Sequence, residues 1–180
     1  GGVSLLKIFT TQLSGIFNRI QEGEAQSIED GARLLAQAVI SDHSVYVYGK
    51  NELEGILKEA LYSSEPFPSV KPLPQDEENW PVFQTADKVL MFCAHSADEN
   101  ELNMAEKLNK KGVGIVAVSP SGKDGAPIAA FADVHIDSKL KMPLLPDEDG
   151  TRFGFPSLMV CLYVYHALSF TLKEIMQEYQ

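Results

Sequence analysis

Lys88-Val-Leu-Met-Phe-Cys93 and Val113-Gly-Ile-Val-Ala-Val118 are two short apolar runs with one polar, periodic stretch between them. Runs this short and unbroken read as strands buried on both faces, the habit of parallel sheets. The stretch from Asp98 to Lys111 opens after the small polar turn Ala94-His-Ser-Ala97. Its apolar residues Leu102, Ala105 and Leu108 recur at helical spacing, with acids at the start, lysines at the end and Gly112 as the stop. That charge order complements a helix dipole. Strand, loop, helix, strand is a βαβ unit. In such sheets ligands bind beyond the carboxyl ends of the strands, beside helix N-termini with free N–H groups. The loop 94–99 and the loop after Val118 are therefore the first places to look for function.

The flanks extend the same pattern. Val3, Leu5, Leu6, Ile8, Phe9, Leu13, Ile16, Phe17 and Ile20 mark a helix with a wide apolar face. Gln21–Gln26 reads as a turn, and Ser27-Ile-Glu-Asp30 as a capping-box-like start to a second helix running to Val39. Val45–Tyr48 is a strand and Gly49-Lys-Asn51 a turn, followed by a helix over Glu52–Tyr62. Ser63–Pro81, with five prolines, is irregular apart from an edge strand near Ser69–Leu73. Ala126–Phe131 is a short helical piece, Ala132–Asp137 a last strand and Ser138–Thr151 a loop. Phe155–Glu178 is a closing helix with Pro156 at its start, where proline is tolerated. Alternating strands and helices predict one α/β domain over 1–180, a parallel sheet with helices on both faces.

Composition narrows the function classes. The net charge is −10, which argues against binding to nucleic acid or anionic membranes, since both need basic surface. A small anion remains possible, because a few N–H groups and hydroxyls can hold one locally. The acidic clusters Asp76-Glu-Glu78 and Asp147-Glu-Asp149 read as solvated loops. Cys93 and Cys161 have no metal-finger partners and read as core thiols of a reducing compartment. The absence of a visible signal peptide makes a cytoplasmic protein the expectation. Leu158–Phe170 is too short to span a bilayer. The four histidines show no ligand spacing, so neither a metal nor another cofactor is expected.

Ile115-Val-Ala-Val-Ser-Pro-Ser-Gly-Lys-Asp-Gly-Ala-Pro-Ile-Ala-Ala-Phe-Ala-Asp-Val-His-Ile136 resembles a segment of the bacterial phosphoheptose isomerases, members of the SIS (sugar isomerase) family. The order of elements over the whole chain is similar as well. The resemblance implies a flavodoxin-like three-layer αβα sandwich with long N- and C-terminal helices, a homodimer packed through helices, and a sugar-phosphate ligand at the strand ends. It also implies interconversion of an aldose and a ketose phosphate by proton transfer. The family's phosphate loop, Ser-x-Ser-Gly-x-Ser/Thr-x-Glu, falls on Ala94-His-Ser-Ala-Asp-Glu-Asn-Glu101, which keeps Ser96 and Glu101. Ala94 and Ala97 replace the first serine and the glycine, and Glu99 replaces a hydroxyl.

On that footing Gly49, Lys50, Asn51, His95, Ser96, Ala97, Ser119, Ser121 and Lys123 are candidate ligand-binding residues. Glu59, Glu99, Glu101 and His166 are candidate catalytic residues, a carboxylate beside a histidine being enough for enediol formation. The family's two histidines, four residues apart on the last helix, fall on Leu162 and His166. A leucine cannot move a proton, and His166 between Tyr165 and Ala167 also reads as a core histidine. Three readings follow: an isomerase, a noncatalytic sugar-phosphate sensor, and a scaffold that has lost its ligand. The first two require the turns around Ser96 and Gly122 to converge on one pocket.

Overall fold

The computed structural model describes residues 2–179. Five parallel strands form one sheet in the order β2-β1-β3-β4-β5, from β1 (Val45–Tyr48), β2 (Val70–Pro72), β3 (Lys88–Phe92), β4 (Gly114–Ser119) and β5 (Val134–Asp137). Tyr48 pairs with Met91, Phe92 with Val118, and Ser119 with Asp137, so the strand ends form one rim. The three strands β1, β3 and β4 are buried almost along their whole length, which is why they read as apolar runs rather than alternating ones. Their side chains still alternate. Val45, Val47, Leu90, Phe92, Val116 and Val118 face one cluster, and Tyr46, Tyr48, Val89, Met91, Ile115 and Ala117 face the other.

The first cluster is closed by α1 (Gly2–Ile40), α2 (Glu54–Tyr62) and α4 (Ser157–Gln177), the second by α3 (Glu99–Lys110) with Trp80, Phe83 and Ile128. The result is the three-layer αβα arrangement expected.

Four local expectations need correction. The turn at Gln21–Gln26 and the cap at Ser27 do not exist, because α1 is one helix of 39 residues. Glu, Gln and Ala there are good helix formers, and a single Gly23 costs only about 1 kcal/mol against alanine. The Glu24 carboxylate accepts the Asp137 N–H at 2.7 Å, tying this stretch to the end of β5. The helix after β1 starts as a 3-10 turn over Asn51–Leu53 before α2. The loop 138–151 contains half of a two-stranded antiparallel hairpin, β6 (Leu145–Pro146) with β7 (Arg152–Phe153). Finally, α4 is long and apolar enough to cross a membrane by length and composition. Here it is a core helix, with Val160, Val164, Leu168 and Leu172 buried against α1 and the sheet.

Candidate ligand-binding site

In the order 2-1-3-4-5 the chain leaves β1 toward one edge and β3 toward the other. The crevice between the carboxyl ends of β1 and β3 is thus the topological switch point. After β1 comes Gly49-Lys50-Asn51. A Cβ on Gly49 would stand 2.6 Å from the Leu53 carbonyl oxygen, so only glycine lets the chain turn so tightly into the 3-10 segment. Asn51 follows at φ 54°, a left-handed conformation that asparagine tolerates. After β3 comes Cys93-Ala94-His95-Ser96-Ala97, leading into α3.

The N-terminus of α3 is closed by its own side chains. Asp98 Oδ1 accepts the Glu101 N–H at 2.8 Å, and Glu101 Oε1 accepts the Asp98 N–H at 3.1 Å. This capping box satisfies two donors that an anion would otherwise use. The other Glu101 oxygen accepts the Tyr48 hydroxyl at 3.0 Å, and Glu101 is 4% exposed. Burial, with the Glu101 charge beside it, raises the Tyr48 phenol far above its ordinary value, so it remains a donor. Lys50 forms an ion pair with Asp98. Its hydrogen bond is the main reason the Asp98 carboxyl is held below the usual range.

Two adjoining cavities open at this rim. One, of about 160 Å³, is lined by Lys50, Asn51, Glu52, His95, Ser96, Asp98 and Glu101, with Leu53 and Ala94. The other, of about 230 Å³, is lined by His95, Ser96, Pro120, Ser121, Gly122, Leu140 and Lys141. His95 and Ser96 belong to both. The turns around Ser96 and Gly122 therefore do converge. The His95 ring is stacked on Phe155, centroids 4.8 Å apart and planes 9° from parallel. Ser157, at the start of α4, donates its hydroxyl to Glu52 Oε2 at 2.7 Å. That bond is the leading cause of a Glu52 carboxyl below its ordinary range, with a smaller contribution from His95.

The sequence-based candidates divide. Lys50, Asn51, His95, Ser96, Ser121 and Glu101 line the two cavities. Gly49 shapes the turn without lining either of them, and Ala97 is buried. Ser119 is fully buried, its hydroxyl 2.8 Å from His135 Nε2. Lys123 and Glu99 are exposed, outside both linings. Glu59 lies on α2 beside Tyr165, whose phenol is pushed up to about 12 by burial and by that charge. His166 is not a core histidine. It is exposed on α4 in a separate groove of about 410 Å³ with Pro66, Pro68 and Phe170.

Glu52, Phe155 and Lys141 were not singled out by sequence. The only signal for Glu52 was its place directly after the Gly49 turn. Phe155 and Lys141 sit in irregular segments whose approach to the rim is set by tertiary packing.

Residues 5–176 match the family described as "Domain of unknown function (DUF2529)". The Bacillus subtilis (strain 168) protein YwjG, described as uncharacterized, is 64% identical over 175 residues, covering 97% of this chain and 99% of YwjG. Among solved structures, the chain is similar to a candidate phosphosugar isomerase involved in capsule formation from Bacteroides fragilis NCTC 9343. The TM-score is 0.71 at 14% identity, with 98% of this chain and 92% of that one covered. It is also similar to the phosphoheptose isomerase GmhA from Neisseria gonorrhoeae, at TM-score 0.63 and 12% identity, covering 93% and 99%. At such identities the structural likeness shows the fold alone. The chain belongs to the DUF2529 family, and it is built on the sugar-isomerase (SIS) fold.

Proposed function

We propose that this protein binds a sugar phosphate in the paired cavities at the carboxyl rim of its sheet. One observation carries the reading: His95 and Ser96 serve both cavities, which together offer cations, hydroxyls and carboxylates to a single small polar ligand. The donors suit phosphate oxygens and the carboxylates suit sugar hydroxyls. The solved neighbours named as phosphosugar and phosphoheptose isomerases support the same ligand class. Thermal unfolding with pentose, hexose and heptose phosphates tests it. A ligand at a hundred times its dissociation constant stabilises the fold by about 2.7 kcal/mol. The expected result is stabilisation by at least one sugar phosphate and none by the matching free sugar. No shift with any of them refutes the reading.

A second reading, aldose–ketose isomerisation, is favoured by His95 lying beside Glu52 in the first cavity. One group would take the proton from the carbon next to the carbonyl, giving an enediolate, and return it to the former carbonyl carbon, while a proton passes from the neighbouring hydroxyl to the old carbonyl oxygen. The depressed Glu52 carboxyl is a weak base for that step, since proton transfer is best served by a group titrating near the working pH. That depression favours binding over turnover. Turnover of a stabilising ligand that is lost in Glu52→Gln would establish the second reading.

The chain is also proposed to be a homodimer. The first turns of α1 expose Val3 (85%) and Leu6 (66%), and α4 exposes Phe170 (60%). A monomer by light scattering at micromolar concentration would refute this.

A further inference from the structure

The two cavities share a border but differ in charge. Three carboxylates, Glu52, Asp98 and Glu101, line the first, and Lys50 is already engaged by Asp98. The N–H of Glu101 at the start of α3 is also engaged. The loop that resembles a phosphate cradle is thus occupied by the protein's own acid. A phosphate placed there would meet negative charge at close range with few free donors.

The second cavity has no carboxylate in its lining. It offers the hydroxyls of Ser96 and Ser121, the His95 imidazole and the Lys141 ammonium. Lys141 has no carboxylate partner among the described residues. Asp137 lies behind the Ser121 turn, and its charge is answered. Asp137 Oδ1 accepts the N–H groups of Ser121 at 3.2 Å and Lys139 at 2.8 Å, and its Oδ2 lies 3.4 Å from Lys139 Nζ.

Resting on the sugar-phosphate reading above, we propose that the phosphate seats in the second cavity on Lys141, Ser121, Ser96 and His95, with the sugar hydroxyls turned toward Glu52 and Asp98. Lys141 is then the principal anion anchor, a mobile point charge with three donors at the cavity mouth. The ligand lies across the rim, with His95 and Ser96 between its charged and neutral ends. Glu52 and Asp98 read hydroxyls, for which a carboxylate is an acceptor, and repel a second phosphate. The site therefore takes monophosphates in preference to bisphosphates.

Amide NMR with inorganic phosphate at constant ionic strength tests the seat. Saturable shifts are expected at Ser96, Ser121, Gly122 and Lys141, and none at Glu99 and Asn100. Lys141→Ala should weaken phosphate binding about tenfold or more, as loss of a charged hydrogen-bond partner does. Lys110→Ala, which removes the same charge at the C-terminal end of α3, away from the rim, should change it by less than about twofold. Lys141 is exposed, and an unchanged urea midpoint shows that Lys141→Ala folds normally. Phosphate shifts at Glu99 and Asn100, or equal losses in the two lysine variants, overturn the proposal. So does the absence of any phosphate-induced shift. In each case stabilisation by sugar phosphates in the thermal screen still decides the broader reading separately.

Discussion

Glu101 joins the rim of the sheet to the helix behind it, and its removal should be costly. Its carboxylate accepts the Asp98 N–H and the Tyr48 hydroxyl while the residue is 4% exposed. Glu101→Ala removes half of the capping box, worth about 1 kcal/mol. It also leaves the Tyr48 hydroxyl buried without an acceptor, worth about 1–3 kcal/mol more. The sum is roughly 2–4 kcal/mol, or a fall in Tm of roughly 5–15 °C for a chain of this size. Urea unfolding measures the first quantity and calorimetry the second. The separation of causes comes from Tyr48→Phe, which deletes the donor. Alone it takes one donor from Glu101 Oε2, but in the Glu101→Ala background it removes an unsatisfied hydroxyl. The two substitutions should therefore couple by about 1–2 kcal/mol. A cost below about 1 kcal/mol for Glu101→Ala, or the same cost for Tyr48→Phe in both backgrounds, would refute the account of the buried carboxylate.

Gly49→Ala sets a Cβ 2.6 Å from a backbone oxygen that cannot step aside, and should cost roughly 1–3 kcal/mol by urea unfolding. Gly55→Ala meets only the Leu158 side chain, Cδ2 at 2.9 Å and Cδ1 at 3.1 Å, whose end can move. The gain of about 1 kcal/mol in helix propensity should leave it near neutral, and equal costs at the two glycines would count against this contrast. His135 is held neutral by burial, so its folded pKa lies below the unfolded value of about 6.5. The unfolded chain binds the proton first, and stability should fall as the pH drops below about 6.5 and level off once the folded state is protonated. His135→Gln should lessen that loss, and an identical pH dependence of unfolding in both proteins would exclude the effect. Ser157→Ala should raise the Glu52 carboxyl in a carbon-detected NMR titration, because the Ser157 hydroxyl is the leading cause of its depression. An unmoved titration would assign the shift elsewhere.

The sheet was readable because burial on both faces removes alternation, leaving apolar runs that stand out against their polar surroundings. Helix α3 was equally plain: its acids, periodic apolar residues and Gly112 stop all point the same way, and Gly112 has φ 78°. The break placed at Gln21 shows the limit. Polar residues between two apolar stretches look like a turn when the contact that holds them helical, Glu24 on the Asp137 N–H, comes from the far side of the sequence. The site divides on the same line. His95, Ser96 and Ser121 are legible because they directly follow strand ends. Phe155 and Lys141 reach the rim only through the packing of the β6–β7 hairpin and the start of α4.

Likeness of fold and likeness of site separate at α3. The SIS fold delivers a helix N-terminus to the switch point whatever its sequence, because strand order alone puts it there. What that terminus offers a ligand depends on Asp98, Glu101 and Lys50, which here satisfy one another. In the proposed site, recognition then rests on side chains brought in from elsewhere: His95 held flat on Phe155, Glu52 held by Ser157, and Lys141 without an ion-pair partner among the described residues. Two of these three are anchored to the segment that enters α4. That helix packs on α1 and on the sheet, so these two groups are tied to the core rather than to the loops alone. A site built in this way can lose a backbone anion cradle and still bind a polar metabolite, provided that the new contacts lie where the internal acid does not reach.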